Sequence, residues 1–328
     1  PCDVFVVRGD PEDTHARWED LRGRHGGIEM PDAIIKAIDD VIILYTSGST
    51  GRSKGVVSSN LAVVSALLSW EISLQVWMMV RETPLDPPKQ QPSGLLAVPL
   101  FHVSGSHAVF LMAFRAQNKL VLTRKWDPVE AARLIEKEQI SSFISPSAMT
   151  SDLIYHAKQG GHDLSSLISV GGGGAARAPE QVKSIDTIFD NALPNTGWGM
   201  TETNAIGTAI AGELYLERPN SSGLPAAVLD IRIADEDGNE LSAGQRGEVQ
   251  IRGTSMFRGY WNNPQATAES HMDDWFLTGD VGYLDNEGYL FIVDRIKDMV
   301  IRGGENIGCG EIEAALLEHP YVREACVY

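Results

Sequence analysis

A chain of 328 residues exceeds the size at which a single hydrophobic core stops growing, so more than one structural unit is expected. Hydrophobic residues at 43% and charged residues at 22% are ordinary values for a globular protein, and no stretch is polar enough to argue for disorder. A formal charge of −17 repels a nucleic-acid backbone, which argues against nucleic-acid binding, and any anionic ligand must be met by backbone N–H groups and basic residues gathered locally against that field.

The first half alternates short β-branched runs with amphipathic stretches. Val4 to Val7, Val41 to Tyr45, Leu95 to Leu100, Lys119 to Leu122, Ser142 to Ser145 and Leu167 to Val170 read as strands. Ser59 to Val80, Asp127 to Glu138, Ser147 to Lys158 and Pro179 to Phe189 read as helices, the second marked by Asp127 ahead of Pro128 at the first helical position. Such alternation implies parallel sheets covered by helices. The stretch from Leu61 to Val80 is apolar enough to resemble a membrane span, but Glu71 and Gln75 interrupt it and a buried core helix is expected, with no integral membrane segment.

From Leu229 onward the pattern becomes antiparallel. Asp230 to Ala234, Gly247 to Arg252, Trp275 to Leu284 and Gly288 to Asp294 are separated by turns such as Asp237-Gly238 and Glu287-Gly288. A third unit opens near Lys297, with a strand at Met299 to Ile301 and a helix from Glu311 to Glu318, and a further strand begins at Val327. The expected organisation is α/β: helix-covered, mainly parallel sheets over 1–221, a small antiparallel β barrel over 222–296, and the beginning of an α+β lid over 297–328. The chain reads as a fragment at both ends. Cys2, Cys309 and Cys326 show no metal-ligand spacing and are too few for a disulfide framework, and no charged leader with an apolar run opens the sequence, so a cytoplasmic setting is expected.

The strongest local signal is Tyr45-Thr46-Ser47-Gly48-Ser49-Thr50-Gly51-Arg52-Ser53-Lys54-Gly55, a loop that leaves a hydrophobic strand and feeds a long helix. Its glycines allow close backbone approach, its hydroxyls and N–H groups donate to phosphate oxygens, and Lys54 adds charge. The Walker pattern places Gly-Lys-Ser/Thr at its end, whereas here Ser53 precedes Lys54 and Gly55 follows it, which disfavours a P-loop nucleotidase. Further strings follow in order: Pro99-Leu100-Phe101-His102, the glycine run from Gly171 to Gly174 with Ala175 and Ala176, and Gly197-Trp198-Gly199-Met200-Thr201-Glu202-Thr203. Then come Gly247 to Gly253, Gly259-Tyr260-Trp261, Trp275 to Asp280, Asp294-Arg295-Ile296-Lys297-Asp298 and Gly303-Gly304-Glu305-Asn306. No His or Cys cluster suggests zinc.

Each string is weak alone, but their joint order over nearly the whole chain resembles the adenylate-forming superfamily of acyl-CoA synthetases, peptide-synthetase adenylation domains and beetle luciferases. That resemblance implies a phosphate-wrapping role for Thr46, Ser47, Gly48, Ser49, Thr50, Gly51 and Lys54. It makes Gly173, Gly174 and Ala175 a border of the adenine and acyl sites, and puts Trp198, where the family usually carries Tyr, against the adenine beside Gly199. Thr201 and Glu202 match positions that hold an ATP phosphate and Mg2+, a use suited to a hard carboxylate ligand. Asp280 matches the acid on the ribose hydroxyls, Arg295 a ribose or phosphate contact, His102 a gate between acyl pocket and reaction centre, and Lys297 the hinge of the lid.

The implied reaction is ATP-dependent activation of a carboxylic acid to its acyl-adenylate, followed by transfer to CoA. Peptide-synthetase domains carry an Asp near His102 to bind an amino group, and Phe101-His102-Val103-Ser104-Gly105 has none, which favours a non-amino acid. An amino-acid adenylation domain that loads a carrier protein, and a nucleotide-binding protein without turnover, are the alternatives; the second rests on the family's late lid lysine, for which no motif is present. The identity and length of the acid, the acceptor and the oligomeric state stay open on the sequence.

Overall fold

The computed structural model describes residues 5–6, 16–29, 32–46, 53–80, 90–174, 177–295, 299–302, 305–317 and the single positions 319, 322, 325 and 327. It divides into two compact units, 1–36 and 37–328. In the first, β1 (Phe5–Val6) pairs in parallel with β2 (Ala16–Arg17), and α1 (Trp18–His25) follows.

The second unit opens with a hairpin. β3 (Asp40–Thr46) and β4 (Lys54–Ser59) pair antiparallel, with Thr46 opposite Lys54 at the mouth of the intervening loop. This corrects two expectations: the segment from Val41 to Tyr45 belongs to an antiparallel sheet, and the loop leads into a strand before the helix α2 (Asn60–Val80) begins. Val56 and Val57, both 1% exposed, make β4 the inner strand.

Helix α2 corrects a third. Its buried residues, Ala62, Val63, Ser65, Ala66, Leu67 and Ser69, all lie in the first half, while Met79 is 84% exposed. A helix this long and apolar meets the length and composition needed to cross a membrane, and only 22% of its most apolar window is buried. The two polar interruptions do not signal burial, because no described element packs over the second half on the side that Ile72, Leu74 and Val76 expose.

The parallel layer takes in β5 (Ser93–Leu96), β6 (Lys119–Leu122), β7 (Ser142–Ile144), β8 (Ser169–Gly172) and β9 (Leu193–Thr196), paired in the order β9-β8-β7-β5-β6. Antiparallel β10 (Thr208–Ala211) and β11 (Leu224–Pro225) extend its β9 edge. Between β5 and β6 lies a π-helix, Ser104–Leu111, that runs into α3 (Met112–Arg115). Three further helices cover the sheet: α4 (Pro128–Glu138), α5 (Ser147–Lys158) and α6 (Pro179–Ile188).

Asp127 caps α4 as its spacing predicts, accepting from the Val129 and Glu130 N–H groups at 2.9 and 3.0 Å. The apolar face of α4 then places Ala131, Ala132 and Ile135 against Leu95, Phe143 and Val170 of the sheet, all 0% exposed. Burial of each large aliphatic or aromatic side chain there is worth about 1.5–3 kcal/mol, so truncating Phe143 to Ala would open this layer at its centre.

After the short helix α7 (Gly212–Glu217), β12 (Leu229–Ala234), β13 (Gly247–Gly253), β16 (Trp275–Leu284) and β17 (Leu290–Arg295) form an antiparallel sheet, with the short β15 (His271–Met272) on the other end of β16. Among the described strands none joins β12 to β17, so this unit is an open five-stranded sheet where a closed barrel was expected. The short β14 (Gly259–Tyr260) leaves it, pairs with Val57 and Val56 of β4, and is followed by α8 (Pro264–Glu269). The last described elements are the hairpin β18 (Met299–Arg302) and β19 (Glu305–Gly308) and the helix α9 (Cys309–Leu317).

Candidate active site

Three backbone features bring the candidate residues to one large open cleft. The first is the β3–β4 hairpin, which presents Thr46 and Lys54 to it. Ser47, Gly48, Ser49, Thr50 and Gly51 lie outside the described residues.

The second is the connection from β9 to β10. Its limbs are held together by an antiparallel bridge between Gly199 and Gly207, so close that a Cβ on Gly199 would overlap the Ala205 carbonyl. Thr201–Thr203 form a single 3-10 turn, and the chain reverses through left-handed conformations at Asn204 (φ 56°) and Ala205 (φ 71°). Asn204 tolerates that conformation and fixes the turn by donating from Nδ2 to the Ser255 carbonyl at 2.8 Å.

At the tip of this connection Glu202 is only 7% exposed yet faces the cleft. Its Oε1 accepts from the Tyr260 hydroxyl at 2.8 Å, and its backbone carbonyl accepts from the Phe257 N–H at 2.7 Å. The Tyr260 ring in turn carries the Lys54 ammonium 4.7 Å from its centroid. Burial, and then the neighbouring Glu202 carboxylate, push the Tyr260 phenol far above its ordinary range, so it is a pure donor at neutral pH. Tyr260 is the functional residue that sequence reasoning missed. It stood inside the Gly259-Tyr260-Trp261 string, but only the β14–β4 pairing reveals that it reaches Glu202.

Glu202 fits a magnesium ligand. Oε1 is held by Tyr260, and no described residue is seen to bond Oε2, while magnesium commonly takes one or two carboxylates together with phosphate oxygens and water. Thr201 lines the cleft beside it, and no group of three or more acidic, His or Cys side chains is assembled among the described residues.

The third feature is the glycine wall at the end of β8. Gly173 and Gly174 line the cleft, and a Cβ on Gly173 would meet the Gly197 carbonyl, so bare backbone is required where the two strand ends converge. Ala175 lies outside the described residues.

Trp198 and Asp280 are hydrogen-bonded to each other. The indole is not on the cleft wall; it packs between the two apolar clusters that include Ile206 and Leu229 on one side and Ile233 and Val249 on the other. It is turned inward because its Nε1 donates to Asp280 Oδ2 at 2.7 Å, which satisfies the polar end of the ring in the interior. Asp280, 5% exposed, also meets Arg295 at 3.3 Å, its cross-strand partner in β16–β17. Burial raises the Asp280 carboxyl above the usual range, against the opposing effects of the Trp198 N–H and Arg295. Burial likewise raises Glu248, which accepts from the Gly279 N–H at 3.0 Å one residue away. Arg295 itself lines the cleft, whereas Lys297 lies outside the described residues.

His102 is exposed at the rim, its ring 4.8 Å from that of Phe101. Both line the cleft at the start of the π-helix, a geometry that is rare and is found mostly at functional sites. Val109, Met112 and residues of the second half of α2, among them Ile72, Leu74 and Val76, add apolar surface to the same cleft.

The AMP-binding enzyme family profile matches residues 2–261. A feruloyl-CoA synthase of an Amycolatopsis species is 34% identical over 300 residues, covering 91% of this chain and 58% of that protein. A 2-succinylbenzoate–CoA ligase of Bacillus velezensis is 32% identical over 312 residues, covering 94% of this chain and 60% of its own length. The solved structure of o-succinylbenzoate coenzyme A synthetase from Bacillus subtilis, in complex with ATP and magnesium ion, matches with a TM-score of 0.82 at 25% identity, covering 98% of this chain and 65% of that one. The chain thus spans about three fifths of the length of the curated relatives it matches. With the profile taking in most of its residues and these relatives matching nearly all of them, the chain belongs to the AMP-binding enzyme family.

Proposed function

We propose that this chain is the nucleotide- and acid-binding part of an AMP-forming acyl-CoA synthetase acting on a hydrophobic carboxylic acid. In the first step the acid's carboxylate oxygen attacks the α-phosphorus of ATP, forming the acyl–phosphate bond as the bond to pyrophosphate breaks. In the second, the CoA thiolate attacks the acyl carbonyl and AMP departs. Magnesium, when bound, neutralises phosphate charge, and Glu202 would hold it. Thr46, Lys54 and Thr201 face the phosphates, Gly173, Gly174 and Gly199 border the nucleoside, and Asp280 with Arg295 meets the ribose. The division at 221 and 296, with a hinge at Lys297, and a cytoplasmic setting belong to the same reading.

The observation that carries this reading is the buried Glu202 carboxylate, fixed through one oxygen by Tyr260 on the lining of the same cleft as the glycine wall. A carboxylic acid without an amino group is favoured because, among the described residues, the part of the cleft lining that runs through Phe101, Val109, Met112 and the second half of α2 carries no carboxylate with which to pair an ammonium. The test is binding of non-hydrolysable acyl-sulfamoyl adenosines. An aryl or alkyl acyl group should bind more tightly than AMP, and an aminoacyl group should gain nothing. Equal or better binding of the aminoacyl analogue would overturn the substrate class, and failure to bind ATP, AMP or any analogue would overturn the reading as a whole.

A further inference from the structure

One buried charge has no part in the site described so far. Arg177 is 8% exposed, and no carboxylate pairs with it among the described residues. Its Nη1 donates to Gln181 Oε1 at 2.5 Å and its Nη2 to the Ser145 carbonyl at 3.4 Å, while Nε has no partner. Burial lowers its basicity, but a guanidinium starts so high that it stays charged at neutral pH. Buried cations are ordinarily paired, and the packing here supplies only neutral dipoles.

The surroundings of Arg177 give this unpaired charge a direction. The Ser145 carbonyl that it touches lies against Gly172, where a Cβ would overlap it, and Gly172 lines the cleft. On another side is Tyr215, 1% exposed, whose phenol is raised by burial and drawn back by the Arg177 charge. Tyr215 interacts with Thr196, which lines the cleft and donates to the Gly172 carbonyl at 2.9 Å. Arg177 therefore sits one layer behind the glycine wall, separated from the cleft by backbone and hydroxyl dipoles and screened from bulk water. A charge placed there acts at longer range than one on the surface.

We propose that Arg177 is a positioning charge: a fixed cation behind Gly172 to Gly174 that draws the anionic part of the ligand, the ATP polyphosphate or the adenylate phosphate, into a cleft that otherwise belongs to a protein of charge −17. This rests on the nucleotide reading of the cleft. It touches no reacting atom, and its signature is an effect that scales with ligand charge.

The test uses Arg177→Met and Arg177→Lys in this chain, with calorimetric titration of ATP, AMP and adenosine. Arg177→Met should weaken ATP by about tenfold, AMP by less, and leave adenosine unchanged. Arg177→Lys should restore most of the ATP affinity. The denaturant midpoint of Arg177→Met should equal or exceed that of the parent, since an apolar chain replaces an uncompensated buried charge. Equal losses for ATP and adenosine would show a merely structural role and overturn the proposal, as would unchanged ATP binding. Should Arg177→Met fail to fold, Arg177→Gln and the salt dependence of ATP binding by Arg177→Lys carry the same comparison. A parent chain that binds adenosine but not ATP overturns the electrostatic role alone; one that binds neither overturns the nucleotide reading.

Discussion

Replacing Tyr260 by Phe isolates the hydroxyl that holds Glu202. The ring keeps its edge-on packing against Phe257, centroids 4.9 Å apart, and still offers a face to Lys54, so packing and the cation–π contact survive. What is lost is one buried hydrogen bond of 2.8 Å to an acidic side chain 7% exposed. Hydrogen bonds to charged groups are worth about 1.5–3 kcal/mol, so urea unfolding near pH 7 should show a loss of that size. Two further readouts identify the cause. In a double-mutant cycle with Glu202→Gln the losses should be non-additive, because both substitutions act on one bond. The pH dependence has a defined sign: the folded-state pKa of Tyr260 lies above its unfolded value, so its contribution is fully present below the ordinary tyrosine pKa of about 10 and is lost as pH rises toward the folded value. The parent should therefore lose stability above that pH more steeply than Tyr260→Phe. A variant with unchanged midpoint, additive with Glu202→Gln, would refute the proposed role of the hydroxyl.

Glu202→Gln should fold normally and bind adenosine as the parent does but lose the magnesium dependence of ATP binding; an unaltered magnesium titration would remove Glu202 from the metal site. Asp280→Asn should weaken ATP and AMP alike if the residue meets the ribose. Because burial raises the Asp280 carboxyl, ionising it costs stability as pH rises through its folded pKa, so the Asn variant should be at least as stable as the parent at pH 7, and a marked drop in melting temperature would contradict this. Ala205→Gly should stabilise the chain by about 1 kcal/mol by relieving a left-handed alanine at φ 71°, with nucleotide binding retained. Asp127→Ala should cost about 1 kcal/mol through the lost α4 cap and leave every ligand affinity unchanged, a control for effects transmitted through the fold.

Where periodicity and capping agree, the sequence is readable to the residue. The strand Lys119–Leu122, the helix Ser147–Lys158 and the long strand Trp275–Leu284 lie where patterning puts them. Strand β4 was hidden because Lys54-Gly55-Val56-Val57-Ser58-Ser59 joins a glycine-rich loop to a helix without a break in composition, and only pairing with β3 and β14 makes it a strand. The π-helix has no local signature, and strands β5 and β8 are offset from expectation by two residues at their starts because the parallel register decides which residues pair. At the site, the ordered strings point to Glu202, Thr201 and the glycine wall. The inward indole of Trp198 and the roles of Tyr260 and Arg177 depend on contacts between distant segments, which no short string encodes.

The β14–β4 pairing has a consequence for how the protein acquires its site. Val56 and Val57 meet Tyr260 and Gly259 across roughly two hundred intervening positions, and until they do, Glu202 lacks its Tyr260 donor and Lys54 its Tyr260 seat. Closing so long a loop is slow compared with forming the local helix–sheet layers. The cleft should thus be among the last parts of the molecule to assemble, and recovery of magnesium-dependent ATP binding during refolding should lag behind the recovery of helical circular dichroism.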